Sequence, residues 1–387
     1  MRSKKLSQPP DMHLTSTGGR LLLWGCTRRR GFLACVVLFA VSAFLPALAD
    51  SELPLSEGDY VIEDFRFGSG ETLSQLRIHY RTLGKIHKDT RGQIDNAVLI
   101  MHGSGGSGAQ FINDRFAGQL FNPGQPLDAT KYFIVLPDGI GHGQSSKPSD
   151  GLRMRFPHYD YNDMVLADYQ LLTEKLEIDH LRLVMGTSMG GMQTWIWGET
   201  YAGFVDSLMP LASLPVEIAG RNRIFRKMFM DAIRNDPEWN NGEYTAQPRG
   251  LVDALYILLL MGSAPLQWQN AYPTRSAADK FLDERIAALI KLFDANDALY
   301  QFDASRNYNP QPKLGTIKAP LLAVNSADDQ IDPPELGILE REINKVPRGR
   351  AVVIPISDAT HGHATYAWPA VWKNYLVELL DQSGPAH

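Results

Sequence analysis

The stretch Gly186-Thr187-Ser188-Met189-Gly190 fits G-x-S-x-G and joins the apolar run "LRLVM" to the helix-like "GMQTWIW". Glycines on either side of a serine give a tight strand-to-helix passage the room it needs, because neighbouring side chains would collide there. On such a strained turn the Ser188 hydroxyl is lifted out of the sheet toward a ligand. A serine hydroxyl is a poor nucleophile at neutral pH, so it needs a base, and the base needs an orienting acid. "AVNSADDQIDPPE" offers Asp328, Asp329 and Asp332 directly after one apolar run, and "SDATHGHATY" offers His361 and His363 after the next. Serine, then acid, then histidine is one of the chain orders in which a triad performs acyl transfer.

Acyl transfer passes through a tetrahedral oxyanion, which needs preorganised donors, typically two backbone N–H groups. Met189, just after the serine at a helix N-terminus, supplies one. "MHGSGGSG", where an apolar run ends in His102-Gly103-Ser104, supplies the other, assigned to the Ser104 N–H. Its glycines do not make a nucleotide cradle, since neither G-x-G-x-x-G nor G-x-x-x-x-G-K-[ST] is present, and no cofactor is expected. No cluster has zinc spacing either: His361-x-His363 is a short pair without a third ligand nearby in the chain.

These residues need a scaffold, and the pattern predicts one. "VIEDFRFGSGETLSQLRIHYRTLG" reads as a hairpin around Gly68-Ser69-Gly70. Short apolar runs then alternate with helical stretches: "NAVLIMHG", "YFIVLPDG", the helix-like "YNDMVLADYQLLTEKLEI", "LRLVMGTS" and "VDSLMPLAS". Runs that are continuously apolar, rather than alternating, predict a mostly parallel sheet with helices on both faces. The alternation stops near Pro215; residues 216–312 contain helical segments and no strand pattern, and read as a helical lid inserted between two strands. Strands and helices return in "APLLAVNSADD", "PPELGILEREINKVP", "AVVIPIS" and "WPAVWKNYLVELLDQ". The expected organisation is therefore a core in two parts, 50–215 and 313–387, around the lid.

The first 49 residues differ in kind. They hold seven Lys or Arg against Asp11 alone, and "RRRGFLACVVLFAVSAFLPALAD" reads as a signal peptide ending in the A-x-A site Ala47-Leu48-Ala49. "RRGFLA" resembles a twin-arginine export signal, with Arg28 in place of the usual Ser or Thr. A membrane anchor over Gly31–Ala49 is the other reading, and Pro46 with the small residues around it favours cleavage and a periplasmic or secreted product. Cleavage removes a net +6 and moves the formal charge from −5 to −11, which argues against a nucleic-acid partner. Cys26 and Cys35 both lie in the removed segment, so the mature chain has no disulfide.

With these motifs in place the chain resembles an α/β-hydrolase, and within that fold it is similar to the homoserine O-acetyltransferase family. The likeness runs from about residue 76 to 381 and is sharpest from "FPHYDYND" through "SMGGMQ" to "LMPLAS", with "RNDPEWNNGEY" and "PRGL" resembling that family's lid. It implies Asp329 as the acid, the second of two acids four residues before Pro333, with Asp328 as runner-up. Gly362-His363 falls where the family's base falls, which implies His363 rather than His361. Lids of this kind pair subunits, so a homodimer is an expectation. Two departures matter: Leu255 stands where the family's lid arginine holds the homoserine carboxylate, and Ala364 where an aspartate meets the substrate amino group. Losing both charged handles disfavours an amino-acid substrate. The expected activity is a serine esterase acting on a small acyl ester through an acyl-enzyme on Ser188; an O-acyltransferase is the alternative, and a binding protein on a hydrolase scaffold the third reading.

Overall fold

The computed structural model describes residues 55–384; the expected signal segment, with Cys26 and Cys35, lies outside them. The described chain begins with the antiparallel hairpin β1 (Leu55–Arg66) and β2 (Thr72–Leu83), turning at Gly68-Ser69-Gly70. Then follow β3 (Ala97–Met101), α1 (Ala117–Leu120), β4 (Phe133–Pro137), α2 (Tyr161–Gln170), β5 (Leu183–Thr187), α3 (Met189–Thr200) and β6 (Leu208–Leu211). Five helices come next without an intervening strand: α4 (Gly220–Arg234), α5 (Arg249–Met261), α6 (Pro265–Ala271), α7 (Arg275–Leu289) and α8 (Ala295–Asp303). The chain closes with β7 (Leu321–Ser326), α9 (Ile338–Glu342), β8 (Gly349–Ile354) and α10 (Pro369–Gln382).

One eight-stranded sheet results, in the order β1-β2-β4-β3-β5-β6-β7-β8, parallel from β4 to β8 and antiparallel only where β2 meets its neighbours. Every residue of β3, β4, β5, β6 and β7 is buried, which is why those runs are continuously apolar. Successive side chains still part to opposite faces. Val98, Ile100, Leu183 and Met185 pack with Trp372 and Leu376 of α10, while Leu99, Met101 and Val184 pack with Met164 of α2 and Trp195 and Trp197 of α3. At roughly 2 kcal/mol for each such fully buried aliphatic side chain, the two layers hold the sheet rigid. The five helices between β6 and β7 have a core of their own, in which Phe229 and Phe302 stack at 3.9 Å.

Two local devices set the helix starts and stops. Asp160 caps α2 by accepting from the N–H groups of Asn162 and Asp163, and Asp163 returns the bond to the Asp160 N–H. The single helix suggested by "PPELGILEREINKVP" is broken: Gly337 takes φ 58°, a left-handed conformation that ends the turn at Pro334–Leu336, and only Ile338–Glu342 is α-helical. Register then brings the site together. Met101 of β3 lies opposite Gly186 of β5, and Thr187 opposite Leu211 of β6, so the carboxyl ends of these parallel strands open on one edge of the sheet.

Candidate active site

Ser188 leaves β5 at φ 54° and ψ −109°, outside the conformations an L-residue ordinarily adopts, and α3 begins at the next residue. Close approach explains the glycines: a Cβ on Gly186 would lie 2.0 Å from the Gly190 carbonyl oxygen, and one on Gly190 2.2 Å from the Met101 carbonyl oxygen. The turn is pinned by hydrogen bonds from the Ser188 N–H to the Leu211 carbonyl (2.9 Å) and from the Gly190 N–H to the His102 carbonyl (3.0 Å).

His363 approaches from the loop after β8. Its Nδ1 is 2.8 Å from Asp329 Oδ2 and its Nε2 is 2.8 Å from Ser188 Oγ. A carboxylate only accepts, so Nδ1 carries the proton and Nε2 presents a lone pair to the Ser188 hydroxyl. Asp329, buried after β7, is held in turn by the Ile331 and Asp332 N–H groups, which donate to its Oδ1 at 2.7 and 3.0 Å. Burial works to lower the His363 pKa, but the charge and hydrogen bond of Asp329, with the charge of Asp332 behind them, carry it above the ordinary imidazole value. The arrangement can take a proton from Ser188 and return it.

The neighbouring residues weighed in the sequence have other duties. Asp328 accepts from the hydroxyls of Ser326 and, at 2.9 Å, Thr360, tying the loop after β7 to the loop before His363. His361 stacks on Trp368 at 3.9 Å, with Arg115 placed 4.2 Å from the same ring. The N–H groups of Met189 and Ser104 have no acceptor among the described residues, and Ser104 lines the same chamber as Ser188 and His363. His102 braces the Ser104 loop from below: its Nδ1–H donates to the Gly103 carbonyl and its Nε2 accepts from the Gly139 N–H, both at 2.9 Å.

Asp332 is the member of the cluster for which the sequence suggested no specific duty. It is 2% exposed, its Oδ2 lies 3.9 Å from His363 Nδ1, and that oxygen has no hydrogen-bond partner among the described residues. Burial and then the charge of Asp329 push its pKa up to about 7. Asp329, Asp332 and His363 together have the composition of a cation site, with ligand atoms within 4.8 Å of one another. The proton on His363 Nδ1 occupies the lone pair such a site would use.

The chamber over Ser188 has a volume of about 250 Å³, walled by Ala364, Tyr366, Phe225, Arg226 and Leu258 among others. Ala364 therefore lines it, whereas Leu255 is wholly buried in the core of the five helices. A second cavity, of about 450 Å³, shares Ile331 with this chamber and is lined by Asp332. A larger depression of about 710 Å³, along residues 87–95 with His180 and Asp206, contains none of the residues described above, so the chemistry selects the smaller chamber.

With this geometry in view, residues 96–363 match the model of the alpha/beta hydrolase fold family. A probable acyltransferase from Methanothermobacter thermautotrophicus is 31% identical over 81% of this chain and 93% of its own length. A homoserine O-acetyltransferase from Carboxydothermus hydrogenoformans is 31% identical over 68% of this chain and 79% of its own. Among solved structures, an acetylester hydrolase from Corynebacterium glutamicum superposes with a TM-score of 0.74 at 22% identity, covering 84% of this chain and 96% of that one. The chain belongs to the α/β-hydrolase fold family, in its homoserine O-acetyltransferase-like branch. That membership makes it an enzyme of the hydrolase or acyltransferase type.

Proposed function

We propose that the protein is a serine esterase that cleaves a small carboxylic ester through an acyl-enzyme on Ser188. His363 Nε2 takes the Ser188 proton as Oγ attacks the carbonyl, and returns it to the leaving alcohol; Asp329 orients and stabilises the imidazolium. The N–H groups of Met189 and Ser104 receive the oxyanion. Water, activated by the same His363, then releases the acid and restores Ser188. The five helices between β6 and β7 act as the lid. The observation that carries this reading is the unbroken Asp329–His363–Ser188 chain, with both links at 2.8 Å, whose Ser188 and His363 line the chamber.

Water as acceptor is favoured because the two positions at which the family's charged handles stand are apolar here, Leu255 being turned into the helical core and Ala364 offering a methyl group, and because no acid lines the chamber to meet an amino group. Export through the segment 1–49 would also separate the enzyme from acetyl-CoA. The second reading, an O-acyltransferase, is favoured by the curated relatives, two of which carry transferase names at 31% identity. Turnover of short aryl esters, with and without homoserine plus acetyl-CoA, separates the two. Ser188-dependent hydrolysis that homoserine leaves unchanged supports the esterase; O-acetylhomoserine formation overturns it in favour of the transferase.

A further inference from the structure

Arg226 of α4 is 3% exposed and lines the chamber over Ser188, yet no carboxylate lies within 4.0 Å of its guanidinium among the described residues. Its Nε donates to Asn222 Oδ1 at 2.8 Å and its Nη1 to Ser305 Oγ at 3.2 Å. The guanidinium carbon sits 5.7 Å from the ring centre of Phe225 and 5.6 Å from that of Phe302. These four neighbours fix the group while leaving Nη2 without a hydrogen-bond partner among the described residues, and Nη2 is not sealed from the cavity. All of the fixing partners are neutral. The nearest carboxylate, Asp332, reaches Arg226 only through Asn222, whose Nδ2 donates to Asp332 Oδ1 at 3.4 Å. A buried charge without a direct ion pair is costly, and the cost is relieved when an anion enters.

The rest of the wall points the same way. Exposed Arg285 of α7 also borders the chamber, and no Asp or Glu does. Asp332 feels the charge of Arg226 but lines the second cavity, and Asp329 is committed to His363 and two backbone N–H groups. A substrate ammonium would therefore meet two guanidinium groups and no acid. A substrate carboxylate would meet two free N–H bonds of Nη2 and one of Nη1, enough to engage both of its oxygens.

We propose that Arg226, assisted by Arg285, is an anion subsite, and that the substrates are small esters bearing a carboxylate and no ammonium group. This rests on the acyl-enzyme reading of Ser188 and adds the substrate class. The carboxylate belongs either to the acyl part or to the alcohol part, and matched ester pairs distinguish the two.

The test compares kcat/KM for 4-nitrophenyl hemiadipate against 4-nitrophenyl hexanoate, and for 4-acetoxybenzoate against 4-acetoxybenzamide. In the unaltered enzyme the anionic member of at least one pair is preferred by 10-fold or more, and the pair that shows it identifies the charged part. Arg226→Gln lowers that ratio at least 10-fold, and Arg226→Lys restores part of it. Reading a ratio within each variant cancels a general loss of activity; should Arg226→Gln not fold, Arg285→Gln must lower the ratio about 3-fold. Neutral esters turned over without any preference for their anionic partners would overturn the subsite and leave the acyl-enzyme reading standing. A preference that survives in Arg226→Gln, or in Arg285→Gln where that variant decides, would overturn it equally. Failure to turn over either member of both pairs would overturn the acyl-enzyme reading and this inference with it.

Discussion

His363 Nδ1 faces two buried carboxylates, Asp329 at 2.8 Å and Asp332 at 3.9 Å, and only the first is hydrogen-bonded to it. Burial opposes the imidazolium, but these two charges outweigh it and raise the pKa of His363 above 6.5. The base works only when neutral, so activity is lost as pH falls through that raised value. The acid limb of the kcat/KM profile is expected to have its midpoint above pH 6.5. Asp332 is itself pushed up to about 7 and so only partly ionised over this limb; Asp332→Asn removes that partial charge and moves the limb to lower pH by about half a unit at most. A limb that stays in place would show that Asp332 does not act on the base.

The two adjacent acids are expected to separate cleanly. Asp329→Asn removes the acceptor that fixes the His363 tautomer and lowers kcat by about 10⁴-fold. Asp328 reaches only Ser326 and Thr360, so Asp328→Asn costs roughly 1–2 kcal/mol of stability and leaves kcat within about tenfold. Steady-state rates and melting curves of the two variants check this, and reversed effects would contradict the assignment.

Much of this site is legible in the sequence because its residues are punctuated by local rules. Gly186 and Gly190 announce the tight passage around Ser188, and the acids and histidines follow apolar runs that become β7 and β8. The parallel order of the sheet is equally legible, since continuous apolar runs alternate with helical ones. Arg226 and Asp332 are not. Nothing in "RNRIFRK" says which of its four cations is turned inward, because that depends on how α4 packs on α5 and α8. Asp332 reads as one more acid in a turn; only the approach of His363 from 31 residues further along gives it a partner. The break at Gly337 is missed because a helical pattern of apolar residues continues across it.

Gly186→Ala and Gly190→Ala test the passage itself. Each new methyl would stand 2.0–2.2 Å from a backbone carbonyl oxygen, too close for a side chain to yield. Each substitution is expected to cost more than about 3 kcal/mol and to abolish soluble, active protein. A folded and active Gly190→Ala enzyme, seen by its melting curve and ester turnover, would mean that α3 is not held against β3 as described.

Asp168 of α2 makes a prediction about stability. Burial alone raises its carboxyl from 3.8 to about 8, so the folded state holds a proton that the unfolded state gives up. For an acid shifted upward, the stabilising contribution is complete below pH 3.8 and fades as pH rises toward 8. Glu199 and Asp297, both pushed up to about 7 and chiefly by burial, act in the same sense. The Tm of the unaltered protein should fall between pH 5 and pH 8, and Asp168→Asn should remove roughly 5 °C of that fall. A variant whose Tm falls as steeply would show that Asp168 is ionised in the folded state.

The central claim is that Ser188 carries the acyl group, and mass spectrometry of acid-quenched protein after brief exposure to 4-nitrophenyl acetate tests it most directly. One acetyl group per chain is expected, on the peptide containing Ser188, appearing with a burst of 4-nitrophenolate and absent from Ser188→Ala. Ester turnover without a modified Ser188, or the same turnover in folded Ser188→Ala, would contradict it.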